Sequence, residues 1–229
     1  MSQQNKKEYV QKMFAGISPR YDLLNHLLSL GLDKYWRRFA VSKLPHGYIL
    51  DVCSGTGDVA IEVSKNNSVI ASDFCYEMLQ FCMLKIKDMD RRNISCIQND
   101  AENLSFKNGV FDGTIVAFGI RNVADIKKAL SEMNRVVRKG GKVVILEFSI
   151  PENVFFKSIY NIYFKKILPT IGALVSRKKG PYSYLPSSVM AFPVRKEFVG
   201  RMKEAGISNI EYFDLTFGIV TVYVGEVGV

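Results

Sequence analysis

Histidine and paired cysteine are scarce in this 229-residue sequence, and each shortage excludes something. Two histidines, His26 and His46, and four cysteines, Cys53, Cys75, Cys82 and Cys96, with no C-x-x-C pair, speak against a zinc centre. The cysteines are expected as small core residues of a reducing compartment. No apolar run is long enough to span a bilayer. Residues 1–8 are polar and lack the apolar centre of a secretion signal. These absences predict a cytoplasmic protein, at most peripheral on the inner face of a membrane. Internal repeats and low-complexity tracts are also missing. What remains is a chain of single-domain length whose 48% hydrophobic content supports a real core and argues against disorder. The net charge of +9 reads most plainly as a solvated basic surface, with an anionic membrane face or nucleic acid as sharper alternatives. No RNA-binding module is recognisable, so nucleic acid is not expected as a partner.

The richest stretch is Asp51-Val-Cys-Ser-Gly-Thr-Gly-Asp58, followed 22 positions after Asp51 by Asp73. Residues 48–50 read as the close of a buried strand. Gly55 and Gly57 let the backbone turn and approach a ligand, and helical sequence follows at once. A second apolar run ends at Asp73, where a carboxylate can accept hydrogen bonds from a ribose hydroxyl pair. The third glycine of a dinucleotide loop is missing, and Asp58 and Glu62 open the helix. Carboxylates there repel a pyrophosphate and favour a cation. S-adenosylmethionine, with a sulfonium, an ammonium and no phosphate, fits better than NAD. A tight turn with no ligand is the plain alternative for the glycines alone.

The rest of the chain alternates in the same rhythm. Residues 10–39 are helix-rich, with a leucine-rich helix stopped by Gly31 and a next helix that Asp33 can cap. Strands are expected at about 48–53, 69–73, 94–98, 113–118 and 142–148. Helices are expected over 76–89 and 123–137. The first of these carries apolar positions Met78, Leu79, Phe81, Cys82, Leu84 and Ile86. Such alternation means a parallel sheet covered on both faces. Residues 211–215 and 219–224, with a turn around Gly218, read as an antiparallel hairpin. The expected organisation is one domain over 1–229: a helical cap (1–45), a βα core (46–148), an insertion (149–192) and a C-terminal helix and hairpin (193–229). The insertion interleaves Phe155, Phe156, Tyr160, Tyr163 and Phe164 with Lys157, Lys165 and Lys166. Pro169 breaks it and residues 177–179 add charge. It is either core or an amphipathic lid over a greasy substrate or lipid.

In an open α/β sheet the ligand lies over the carboxyl ends of the strands. That gathers the 54–58 loop, Asp73, Asp100-Ala-Glu102 and Ala117-Phe-Gly-Ile-Arg-Asn122 around one crevice. Asp100 can accept from an adenine amino group, Ala101 offers a backbone N–H, and Ala117 lies on the methionine side. Arg121 and Asn122 sit where chemistry happens in such a fold, with a structural salt bridge from Arg121 as the alternative.

With these residues in view, the chain resembles the ubiquinone/menaquinone biosynthesis C-methyltransferase family. The likeness rests on Tyr21-Asp-Leu-Leu-Asn25 through Ser29-Leu-Gly-Leu-Asp-Lys-Tyr-Trp36, on Arg121-Asn-Val-Ala-Asp125 through Arg135, and on Lys139-Gly-Gly141. Residues 146–149, 182–185 and 215–220 support it, and it covers nearly the whole chain. Leu24 replaces a usual methionine, Asp33 a frequent histidine, Cys53 a small residue, and Arg138-Lys139 a usual Lys-Pro. The change at Asp33 argues against catalysis there.

The resemblance implies a Rossmann-like class I methyltransferase, with a mostly parallel seven-stranded sheet, helices on both faces and an antiparallel C-terminal strand. It also implies S-adenosyl-L-methionine as cofactor, with Asp51, Gly55, Thr56, Gly57, Asp73, Asp100, Ala101 and Ala117 around it. The implied reaction is ring C-methylation of a polyprenylated quinol: demethylmenaquinol first, with a methoxy-polyprenyl-benzoquinol, alone or in addition, as the open alternative. A small-metabolite or RNA methyltransferase and a binding protein without chemistry are the competing readings. For the quinol, Arg121 or Asn122 is expected to stabilise the ring oxyanion. Tyr21, Asp22, His26 and Tyr182 are candidate proton acceptors, though His26 also reads as a satisfied core histidine. Transient contact with a membrane surface accompanies a prenylated substrate.

Overall fold

Runs such as Tyr48–Val52 and Val143-Val-Ile-Leu146 are apolar at nearly every position because their strands are covered on both faces. The computed structural model describes residues 3–163 and 180–228. Three helices, α1 (Gln3–Ile17), α2 (Tyr21–Leu28) and α3 (Leu32–Val41), come first. The core follows as β1 (Tyr48–Val52), α4 (Asp58–Val63), β2 (Ser68–Asp73), α5 (Tyr76–Asp88), β3 (Ile94–Gln98), β4 (Phe111–Ala117), α6 (Ile126–Val136) and β5 (Val137–Phe148). Then come α7 (Val154–Ile162), α8 (Gly180–Met190), α9 (Arg195–Glu204), β6 (Ile207–Leu215) and β7 (Val220–Val227). Phe164, Lys165, Lys166, Pro169 and residues 177–179 of the expected insertion lie outside the described residues, as does the side chain of Tyr182.

The seven strands lie in the order β3-β2-β1-β4-β5-β7-β6. β1 to β5 pair in parallel, and β7 enters antiparallel between β5 and β6. Alternate residues of each strand feed two core layers. Leu50, Val143 and Ile145 pack with Leu130 and Met133 of α6 and with Phe198 of α9. Ile49, Val144 and Leu146 pack on the other face with Trp36 of α3, Val59 and Val63 of α4, and Cys82 of α5. The chain steps outward from β1 to β3 and returns to place β4 beside β1. The loops leaving β1 and β4 therefore diverge and open a crevice at the strands' carboxyl ends.

Several local expectations shift. β5 starts at Val137 rather than Lys142, because Val137 pairs with Phe111 before a bulge around Gly140 and Gly141. α5 turns Leu84 to solvent, since helical period puts Met78, Leu79 and Cys82 on the sheet side. Asp33 does not cap α3: the preceding position is Gly31 in a left-handed conformation, and Asp33 lies buried inside the helix. The four cysteines are free; Cys75 and Cys82 are buried, while Cys53 and Cys96 are half-buried.

Candidate active site

The crevice holds two cavities. The smaller, of about 100 Å³, lies over the β1–α4 loop and the tips of β2 and β4. Gly55, Asp73, Asp100, Ala101, Ala117 and Asn122 line it. The larger, of about 310 Å³, is mostly apolar and lies between α1, α2, α3, α7 and α8, with Arg121 in its wall. Phe14, Tyr21 and Phe118 line both, so these three rings are the partition between them.

The glycine loop is shaped by the sheet beneath it. Gly55 and Gly57 both have positive φ, and a side chain at Gly57 would run into the Cys82 sulfur. Cys53 and Phe118, at the ends of β1 and β4, hold the same left-handed region without being glycine. The Asp73 carboxylate accepts from the Gly55 N–H at 2.8 Å and the Cys75 N–H at 2.8 Å, tying the loop to the tip of β2. Burial pushes the Asp73 carboxyl above the usual carboxylate range, against the opposing pull of these backbone donors. Asp100 accepts from Lys7 Nζ at 2.6 Å, so the position expected to take an adenine amino group already has a cationic neighbour.

Among the described residues, five expected cofactor or catalytic positions line neither cavity: Asp22, His26, Asp51, Thr56 and Gly57. Asp51 is 1% exposed in β1, and burial pushes its carboxyl well above the usual range. Gly57 lies in the turn below. Thr56 donates from Oγ1 to Asp22 Oδ1 at 2.5 Å, and Asp22 also takes Lys85 Nζ at 2.5 Å. Lys85 reaches Asp58 as well, at 2.7 Å. This polar cluster pins α2 and α5 to the glycine loop.

Tyr21 touches both cavities, and burial raises its phenol pKa. Asn122 donates to the Phe118 carbonyl at 3.3 Å and accepts from the Tyr184 hydroxyl at 3.2 Å. Arg121 forms the salt bridge that sequence left as an alternative: Nη1 donates to Glu147 Oε1 at 2.6 Å and to the Phe118 carbonyl at 2.6 Å. Glu147 is fully buried, and burial raises its pKa against the pull of Arg121. His26 is not a core histidine. Its side chain is one-third exposed, with Nδ1 2.7 Å from Asp33 Oδ2.

Sequence reasoning placed a helical cap over residues 1–45 but named no α1 residue at the site. Lys7, Val10, Gln11 and Phe14 cover the smaller cavity, and Met13, Phe14 and Ile17 cover the larger. Lys6 reaches the Val123 carbonyl at 2.5 Å and Lys7 reaches Glu102 at 3.0 Å. The apolar spacing of Val10, Phe14 and Ile17 was the available signal.

The fold is that of the class I S-adenosylmethionine-dependent methyltransferases. A SAM-dependent methyltransferase from Thermotoga maritima superimposes with a TM-score of 0.68 at 19% identity, over 95% of this chain and 99% of that one. Phosphoethanolamine N-methyltransferase 2 of Haemonchus contortus, solved with S-adenosyl-L-methionine, gives a TM-score of 0.61 at 13% identity over 84% of this chain and 52% of that one. In sequence, the ubiquinone/menaquinone biosynthesis C-methyltransferase UbiE of Geobacter sp. (strain M21) is 48% identical, over 96% of this chain and 97% of its own length. The demethylmenaquinone methyltransferase of Deinococcus radiodurans is 43% identical over 97% of this chain and 94% of its own. The model of the ubiE/COQ5 methyltransferase family matches residues 2–226, and the chain belongs to that family.

The Arg121–Glu147 pair makes a stability prediction. Arg121→Met leaves the Glu147 carboxylate buried and unpaired, which costs about 3 kcal/mol near neutral pH. The folded carboxyl then takes up its proton at a higher pH than the unfolded one, so the deficit shrinks as pH falls towards about 5. Adding Glu147→Gln restores most of the loss. Urea unfolding across pH checks both; a pH-independent deficit unrelieved by the second substitution would contradict the pairing.

Proposed function

We propose that the smaller cavity holds S-adenosylmethionine and the larger a prenylated quinol, whose ring carbon receives the methyl group at the partition of Phe14, Tyr21 and Phe118. The observation that carries this reading is that shared wall. A polar crevice with a ribose-type carboxylate abuts an apolar chamber, with only aromatic rings between. The smaller cavity suits the cofactor chemically: Asp73, Asp100 and Glu102 stand against a single lysine, Lys7, which favours a cationic adenosyl ligand over a phosphate. Bound there, the cofactor supplies an electrophilic methyl on a sulfonium. Asp73 keeps lone pairs for the ribose hydroxyls. The N–H of Ala101 and the Ala117 carbonyl face the adenine and methionine ends. Asp51, Thr56 and Gly57 act behind the site by shaping the loop.

On the substrate side, a quinol carbon attacks only when a ring hydroxyl gives up its proton, and a phenol-like pKa of about 10 calls for help near neutrality. The Arg121 guanidinium, fixed by Glu147, stabilises the developing oxyanion, and Asn122, held by Tyr184, orients the ring. Asp22, held by Thr56 and Lys85, is read as a support of the glycine loop rather than as a proton acceptor. The relatives' names fit a naphthoquinol first and a benzoquinol second. The apolar chamber favours either over RNA or a polar metabolite.

The rim of the larger cavity offers its exposed apolar side chains to a membrane surface. Leu30 is 82% exposed, Phe155 67% and Phe217 68%. Phe217 stacks on Phe156 with centroids 4.1 Å apart. Exposed Lys34 and Lys157 flank them and suit anionic headgroups. A prenyl tail could then enter the chamber without crossing water.

Methyl-labelled S-adenosylmethionine offered with reduced demethylmenaquinol, or with the methoxy-benzoquinol lacking its ring methyl, is expected to put label into the organic phase. Asp73→Ala should weaken cofactor binding by about tenfold or more, while Arg121→Lys should lower turnover with cofactor affinity kept. Intact cofactor binding with no label in either quinol would remove the proposed substrate. In flotation with anionic vesicles, Leu30→Ser with Phe155→Ser and Phe217→Ser should lose co-migration. Wild-type protein that stays with the soluble fraction would contradict the membrane contact.

A further inference from the structure

Ring methylation leaves one proton to dispose of, and the larger cavity offers few groups to take it. The step forms a ring C–CH3 bond, breaks the donor's C–S bond and displaces the ring hydrogen as a proton. Among the described residues lining this cavity, Asp33 is the sole carboxylate. Tyr21, Tyr160, Tyr163 and Tyr184 line it too, and burial raises each of their pKa values. Guanidinium groups, as on Arg37 and Arg121, donate hydrogen bonds and accept none.

The sequence places Asn25 and Ser29 one helical turn apart and Asp33 four positions further on, and all three line the cavity. Asp33 is 3% exposed. Its Oδ1 accepts from Ser29 Oγ at 2.7 Å. Its Oδ2 lies 2.7 Å from His26 Nδ1 and also meets Arg37 Nη1. His26 is not among the cavity-lining residues and is one-third exposed, so it stands between Asp33 and solvent.

We propose that Asp33 and His26 form a proton exit from the quinol chamber to water, with Asp33 as the group facing the ring hydroxyl and His26 as the relay behind it. This rests on the quinol reading above. The hydroxyl proton passes to Asp33; the imidazole, whose Nδ1–H rests on the ionised carboxylate, turns over so that its unprotonated Nε2 takes that proton while Nδ1 releases its own to water. The electron pair left on oxygen drives the ring carbon towards the methyl. Rearomatisation then moves the ring hydrogen onto that oxygen, so one proton leaves per turnover. Arg37, the Ser29 hydroxyl and His26 together hold the Asp33 carboxyl below the usual range, although burial pushes the other way. The aspartate therefore carries the proton only briefly. The groups facing His26 are Asp33 and Arg37 of α3 and Asp58 of α4; a ring nitrogen of His26 and a carboxylate oxygen each of Asp33 and Asp58 lie within 4.8 Å of one another. The departure at Asp33, which argued against catalysis by family likeness, has its partner in the same chain.

The test uses the purified chain, S-adenosylmethionine and a reduced prenylated naphthoquinol. His26→Gln keeps a hydrogen-bond donor for Asp33 but cannot relay a proton, and His26→Ala leaves room for free imidazole. Both are expected to lower kcat by about tenfold or more and to change the pH–rate profile, with cofactor affinity by calorimetry unchanged. Added imidazole should restore turnover to His26→Ala in proportion to its concentration. Turnover by His26→Gln within about twofold of wild type from about pH 6 to 9 would overturn the relay, as would a loss in His26→Ala that imidazole does not touch. A wild-type chain that methylates no quinol would instead defeat the functional reading on which the relay stands.

Discussion

A buried ion pair at the ends of β4 and β5 sets the geometry on which the rest depends. Glu147, fully buried on β5, holds Arg121 by its side chain, and the same guanidinium grips the Phe118 carbonyl. Phe118 is thereby kept in a left-handed conformation that costs about 1 kcal/mol or more for a side-chain-bearing residue. That conformation swings its ring into the partition between the two cavities. Buried pairs of this kind add little net stability over an apolar core, yet removing one partner is expensive. The pair's value lies in where it fixes the loop.

Around that fixed floor the molecule is assembled by polar ties between segments far apart in sequence. Lys7 of α1 reaches Asp100 and Glu102, and Lys85 of α5 reaches Asp22 of α2 and Asp58 of α4. α1 has no buried residue of its own. It is held by these charges and by Val10, Phe14 and Ile17 resting on the cavities. A cover attached this lightly is suited to open and close, since segments with few buried contacts open at low free-energy cost.

What the sequence made legible follows from which forces are local. The glycine turn, the strand tips and the acid at Asp73 were readable because φ requirements and apolar runs leave local marks. The parallel sheet followed from the alternation of strand and helix. Asp51, Thr56 and Gly57 sit behind the cavity because a motif shows which residues build a loop and not which of them face its ligand. Partners separated by 26 residues, as Arg121 and Glu147 are, or by 93, as Lys7 and Asp100 are, leave no pattern in the chain. The same holds for α1, where nothing in the polar sequence around Lys7 marks Asp100 and Glu102 as its partners. His26 was misread for a related reason: a histidine in a leucine-rich helix looks buried until Asp33 is placed beside it.

The central claim is that two chambers of opposite polarity meet at Phe14, Tyr21 and Phe118, and that the reacting atoms meet there. A crystal structure with S-adenosylhomocysteine tests it most directly. The account predicts the ribose on Asp73 and the thioether sulfur against those three rings, aimed into the apolar chamber. A sulfur directed away from the partition, or an adenosyl group lodged in the larger cavity, would contradict it.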